Sequence, residues 1–146
     1  MISKNSFDHA DQAKKCLRLW ASVVHAAIMD SCISPAEPKK QSKESRLEPR
    51  LKLKGKPPLR HSVLDSIEFI FTPSRSDPIL LYLDIDGGQF RKKLLDVMWS
   101  QKQMPWLRDG ITDVQRRAFR YNYNWYQKHQ AAIKNFIRGE HDVGMG

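Results

Sequence analysis

Ala13, Leu17, Trp20, Val24, Ala27 and Ile28 return at steps of three and four residues. That period predicts a helix from about Asp8 to Ser31 with these side chains on one face. Lys14, Lys15 and Arg18 fall mainly off the stripe. Such a helix needs a core to cover.

The pattern breaks between Ser34 and His61. Pro35, Pro38, Pro49, Pro57 and Pro58 interrupt the segment. Its charge comes from Lys39, Lys40, Lys43, Arg46, Arg50, Lys52, Lys54, Lys56 and Arg60, opposed only by Glu37, Glu44 and Glu48. Apolar residues are sparse, so burial is expected not to offset the entropy of ordering the chain. Residues 34–61 therefore read as a mobile basic linker between an N-terminal helix (1–33) and a helical unit (62–146).

Periodicity resumes after the linker. Ser62-Val63-Leu64-Asp65 reads as a capping box that opens a helix to about Phe71. Thr72-Pro73 ends that helix, because the residue before proline is driven from helical geometry. Asp77-Pro78 reads as the N-cap and first residue of a second helix. The alternation from Ile79 to Ile85 also permits a short strand. Asp84-Ile85-Asp86 forms a turn, and Asp86 caps a third helix through Phe90, Leu94, Leu95 and Met98. Ile85 and Phe90 take the two positions of a hydrophobic staple. A loop with Pro105 and Gly110 follows. Thr112-Asp113-Val114-Gln115 is a further capping box, predicting one long helix from Asp113 to about Arg138. Val114, Ala118, Tyr121, Trp125, Ala132 and Phe136 share one side of it, and Phe119, Tyr126, Ile133 and Ile137 widen that side. Arg116, Arg120, Lys134 and Arg138 are expected on the other, flanked by Arg117 and Lys128. The fold class expected is all-α, with a helix-turn-helix-like unit.

Composition adds a sign. The chain has 146 residues and a net charge of +9, with a pI of about 9.7. That balance favours phosphate polymers or acidic partners. Cys16 and Cys32 stand about four turns apart on one helix, too far for a bridge within it, so they read as reduced thiols. His9, His25, His61, His129 and His141 are scattered, and neither metal spacing nor a phosphate-cradling loop occurs. No cofactor, metal or catalytic residue is expected, and the chain reads as a binding protein rather than an enzyme. The apolar run from Leu17 to Met29 contains Arg18 and His25 and is too short to span a bilayer, so a cytoplasmic protein is expected.

Two surfaces are candidates for contact. A short helix, a turn and a basic helix match helix-turn-helix geometry, with Gln89, Arg91, Lys92 and Lys93 as duplex-DNA contacts. Arg116, Arg117, Arg120 and Lys128 would hold phosphates, helped by Lys52, Lys54 and Lys56 from the linker. The plainer alternative is a packing hairpin with solvated lysines. The other surface is apolar: Trp99, Met104 and Trp106, with Pro105. Exposed, these would suit a protein partner; buried, they would favour DNA. Pairing of two copies through the first helix is open.

Trp20-Ala21, Ala27-Ile28-Met29-Asp30, Ile67-Glu68-Phe69-Ile70-Phe71, Ser76-Asp77, Leu83-Asp84-Ile85-Asp86 and Phe90 to Leu95 resemble segments of small phage- and prophage-encoded helical proteins. The resemblance covers Trp20 to Met98 outside the linker. Gly87-Gly88 departs from the proline or acidic residue expected after the turn. The resemblance implies a phage-type regulator in a bacterial cell and assigns no functional residues. Two functions follow as expectations. One is a DNA-binding transcriptional regulator or accessory factor. The other is a module that binds a host protein such as RNA polymerase or a defence nuclease.

Overall fold

The computed structural model describes residues 4–35, 48–53, 58–100 and 110–139, with 4–10 as backbone alone. The described residues form six helices and one two-stranded sheet. In chain order these are α1 (Lys4–Ser31), β1 (Arg50–Leu51), β2 (Leu59–Arg60), α2 (His61–Phe71), α3 (Pro73–Tyr82), α4 (Gly87–Ser100), α5 (Asp113–Lys128) and α6 (Gln130–Arg138). The all-α expectation holds.

Helix α2 is the hub. It packs against α1, α3, α5, α6 and β2. Val63, Leu64, Ile67 and Ile70 are almost wholly buried along it. Two apolar clusters meet there. One joins Val24, Ala27 and Ile28 of α1 to Ile70, Leu80, Phe90, Leu94, Met98 and Phe119. The other joins Leu59, Val63, Leu64 and Ile67 to Trp125, Tyr126 and Ile133. Phe71 and Tyr123 pack against both.

The stretch expected as linker is folded where it is described. Arg50 pairs with Arg60 and Leu51 with Leu59, antiparallel. Leu59 is buried, and Leu51 and Leu53 pack against the second cluster. These leucines give the segment an apolar anchor that its average composition hides. Residues 36–47 and 54–57 lie outside the described residues.

Helix starts also differ from expectation. Ser62 does not cap α2; it lies inside the first turn, and Arg60 stands at the N-cap without a side-chain bond. The orphan amides are satisfied across the chain instead. His61 N–H donates to the Pro49 carbonyl at 2.9 Å, and Ser62 N–H to Glu48 Oε1 at 2.6 Å. Helix α3 starts at Pro73 with Thr72 as N-cap, and Pro78 is inside it. Asp77 is thus released from capping and pairs with Arg91. The Ile79–Ile85 alternation is helix and turn, with no strand.

The α3–α4 turn follows its predicted chemistry. Asp84 N–H reaches the Leu81 carbonyl and Ile85 N–H the Leu80 carbonyl, a Schellman pattern. Asp84 takes φ 60°, a left-handed position that aspartate tolerates. Ile85 and Leu80 belong to the same apolar cluster. Asp86 Oδ1 accepts from Gln89 N–H at 2.8 Å, which makes it the cap of α4. Gly87 leaves room for the Asp77 carboxylate, which a Cβ there would displace.

The long C-terminal helix is two helices. Thr112 and Gln115 form the predicted capping box of α5, but the helix breaks at His129, with φ −129° and ψ 36°. Neither proline nor glycine marks the break. It allows Ile133 to bury completely and Phe136 and Ile137 to pack beside it. The buried side of α5 is also rotated from the predicted one. Val114 is 70% exposed, whereas Arg116 and Asn122 are buried.

Candidate partner-binding groove

Gln89, Lys92, Lys93, Asp96 and Trp99 recur along α4 at three- and four-residue steps, on one side of the helix. With Leu95, and with Tyr123 from α5, they line an open groove of about 840 Å³. Its apolar part is aromatic. Trp99 meets Phe119 edge-on at 6.2 Å and Tyr123 at 5.8 Å between ring centroids. Phe119 and Tyr123 stack at 5.7 Å, and Tyr123 rests on Phe71 at 4.8 Å. Phe119 is fully buried while Trp99 is 46% exposed. The indole is therefore seated on a fixed base with nearly half its surface toward solvent. Lys92, Lys93 and Gln89 are exposed at the rim.

The nominated basic residues do not converge. Arg91 is turned inward, donating to Asp77 Oδ1 at 2.7 Å and to Ser76 Oγ at 3.1 Å. The same Ser76 hydroxyl donates to the Ile70 carbonyl, so Arg91 ties α4 to the α2–α3 junction. Arg116, expected on the solvent side, is 3% exposed. Its Nε donates to the Val97 carbonyl at 3.1 Å and its Nη1 to Asp113 at 3.0 Å. Arg120 donates to the Met98 carbonyl at 3.2 Å. Val97 and Met98 lie in the last turn of α4, where carbonyls lack helical partners and cations are favoured. These two arginines cap α4 from α5.

Arg117 and Lys128 are exposed on another face of α5, beside Tyr121 and Asn124. Lys52 is exposed after β1. Lys54, Lys56, Met104 and Trp106 lie outside the described residues. The N-terminal end of α4 is acidic: Asp86 holds its amide, Asp77 pairs with Arg91, and Asp84 is exposed beside them. A DNA groove entered by that end would meet carboxylates of its own sign.

Buried polar groups elsewhere serve the frame. Asn122 donates to the Ser31 and Ile33 carbonyls, closing the end of α1. Tyr126 donates to the buried Glu68 carboxylate. Burial and this bond hold the phenol well above its usual range. Burial pushes the Cys32 thiol up to about 12. Burial, and then the Glu48 carboxylate, raise the Asp30 carboxyl. Among the described residues no group of three His, Cys, Asp or Glu could hold a metal, and no helix is long and apolar enough to cross a membrane.

Sequence reasoning named Trp99, Gln89, Lys92 and Lys93 but assigned them to two different surfaces. It did not single out Tyr123 or Asp96 as neighbours of Trp99. The step of three from Asp96 to Trp99 was readable; the approach of Tyr123 depends on how α4 and α5 pack. No protein-family model, no curated protein and no solved structure matches the chain.

Proposed function

We propose that this chain is a protein-interaction module whose α4–α5 groove takes an acidic segment of a partner protein through an apolar anchor. The observation that carries this reading is Trp99, held on Phe119 and Tyr123 yet 46% exposed. Tryptophan in a preformed apolar groove is a common binding hot spot. Lys92 and Lys93 at the rim supply the sign of the partner, because opposite charge speeds encounter and rejects basic segments. Glu or Asp flanking a buried Leu or Phe is the sequence such a groove suits.

A phosphate-binding reading keeps a specific basis. Lys92, Lys93, Arg117 and Lys128 are all exposed in a chain of net charge +9. Backbone contact with nucleic acid needs no more than that. Base reading by α4 is weakened by the inward Arg91 and by the acidic cap.

Fluorescence polarisation separates the two. The probes are a synthetic peptide with a Leu-Phe anchor between glutamates, the same anchor between lysines, and a mixed-sequence DNA duplex. The expected result is binding of the acidic peptide alone, weakened about tenfold or more by Trp99→Ala. Tighter binding of the duplex, indifferent to Trp99→Ala and lost with Lys92→Glu and Arg117→Glu, would replace this reading with the nucleic-acid one.

A further inference from the structure

Helix α5 carries a second line of side chains, on another face from the groove. Arg117, Tyr121, Asn124 and Lys128 follow one another at steps of four, three and four residues, which sets them in one stripe. All four are exposed, Tyr121 at 39%. Tyr121, Asn124 and Lys128 also line a small pocket with Trp125 and His129. The pocket lies at the break between α5 and α6, and its volume is about 200 Å³. That is below the roughly 300 Å³ at which drug-sized sites begin. It has room for one ring and not for a peptide segment.

Trp125 marks this pocket as incomplete. The residue is 3% exposed, and its rings lie against the His129 ring at 4.9 Å between centroids. Its indole nitrogen is buried and reaches no acceptor. A buried donor left unpaired costs free energy, and native interiors hold few of them. The other lining groups narrow what would answer it. Among the described residues that line the pocket there is no Asp or Glu. Lys128 brings a cation, and neither it nor Arg117 has a carboxylate partner among the described residues. Tyr121 and His129 offer ring faces to a flat group. The Asn124 amide both donates and accepts, as the edge of a base does. A carboxylate side chain would use Lys128 and leave the rings and the amide idle. A nucleotide uses them all.

We propose that this pocket takes the base of one unpaired nucleotide, with its phosphate on Lys128, at a site separate from the α4–α5 groove. The base stacks on Tyr121, turns an edge to Asn124 and brings an acceptor to the Trp125 N–H. That nitrogen is shut from solvent, so the His129 ring beside it has to turn aside as the base enters. A duplex keeps its bases in the stack and does not fill such a pocket. A free mononucleotide and an unpaired strand share the chemistry. Arg117 stands roughly 16 Å along α5 from Lys128 at the helical rise, and adds a phosphate contact for the strand alone.

The test is NMR on the full chain with isotope-labelled indoles, the Trp125 signal being assigned by its loss in Trp125→Phe. The probes are AMP, a uridine hexanucleotide and inorganic phosphate. AMP is expected to move the Trp125 N–H signal saturably and to leave that of Trp99 in place. Tyr121→Ala and Lys128→Glu should each weaken AMP about tenfold. Both side chains are exposed, so the melting temperature should not change. Tighter binding of the hexanucleotide, with the gain lost in Arg117→Glu, identifies the strand as the source. Equal binding that is indifferent to Arg117→Glu identifies the free nucleotide. A Trp125 signal that neither AMP nor the hexanucleotide moves overturns the proposal. So does inorganic phosphate moving it as far as AMP at the same concentration, which would leave a simple anion site. The groove is read from Trp99, so failure at either site leaves the other standing.

Discussion

The two halves of α1 carry one spacing and meet opposite environments. Val24, Ala27 and Ile28 are buried where α1 packs on α2 and α5. Leu17 and Trp20 continue the same stripe and are exposed. Periodicity therefore fixes which side of a helix is apolar, but not how far along that side a cover extends. Cover is decided by where the other elements end, which is a tertiary fact. The basic residues of α5 repeat the lesson around the helix. Arg116 and Arg117 are adjacent in sequence, yet one caps α4 from the interior and the other faces solvent.

The strongest way to break the first comparison is to shorten one side chain in each half. Ile28 is fully buried, so Ile28→Ala is expected to cost about 3–4 kcal/mol through lost burial and a residual cavity. Leu17→Ala, measured by urea unfolding, is expected within about 0.5 kcal/mol of wild type. Equal losses would mean that the outer half folds back onto the core. The second comparison predicts a smaller gap. Arg116→Ala strands the Val97 carbonyl in the interior and should cost about 2–3 kcal/mol. Arg117→Ala should stay within about 0.5 kcal/mol. If both proved neutral in urea, Arg116 would not be holding α4.

Local signals were the legible part. Thr112 with Gln115, Thr72 before Pro73, and the Asp84–Asp86 turn each work over a few residues, and each stands as read. Asp77-Pro78 was misread because its capping signature is also satisfied by a helix that had already begun at Pro73. The α5 face was rotated in the reading for a deeper reason. Arg116 and Asn122 are polar, and polarity normally marks the outside. They are buried because orphan carbonyls at the ends of α4 and α1 need donors, and those ends approach α5 only in three dimensions. The groove shares this limit: Trp99 is local to α4, while its aromatic seat comes from α2 and α5. The ordering of Leu51, Leu53 and Leu59 likewise needs α2, α5 and α6 in place before three leucines outweigh a basic, proline-rich context.

The finest test of the α1 contrast uses its two thiols, with no change in the fold. Cys16 is exposed on the outer half and Cys32 is buried at the foot of the helix. Thiolate is the reacting form. Burial lifts the Cys32 thiol from its ordinary 9.0 to about 12, with a Ser31 hydrogen bond opposing the rise only in part. In dilute native protein one thiol should titrate promptly with a disulfide reagent and the second only after denaturation. Raising the pH to 9 should leave the second silent. The same shift gives the sign for stability. The unfolded thiol ionises first, so the contribution of Cys32 is complete below about pH 9 and is lost as the pH climbs towards 12. Replacing Cys32 with Ala should flatten that alkaline loss, and replacing Cys16 should not. Rapid labelling of both thiols in the native chain would show that the foot of α1 opens as freely as its outer half, and the contrast between the halves would disappear.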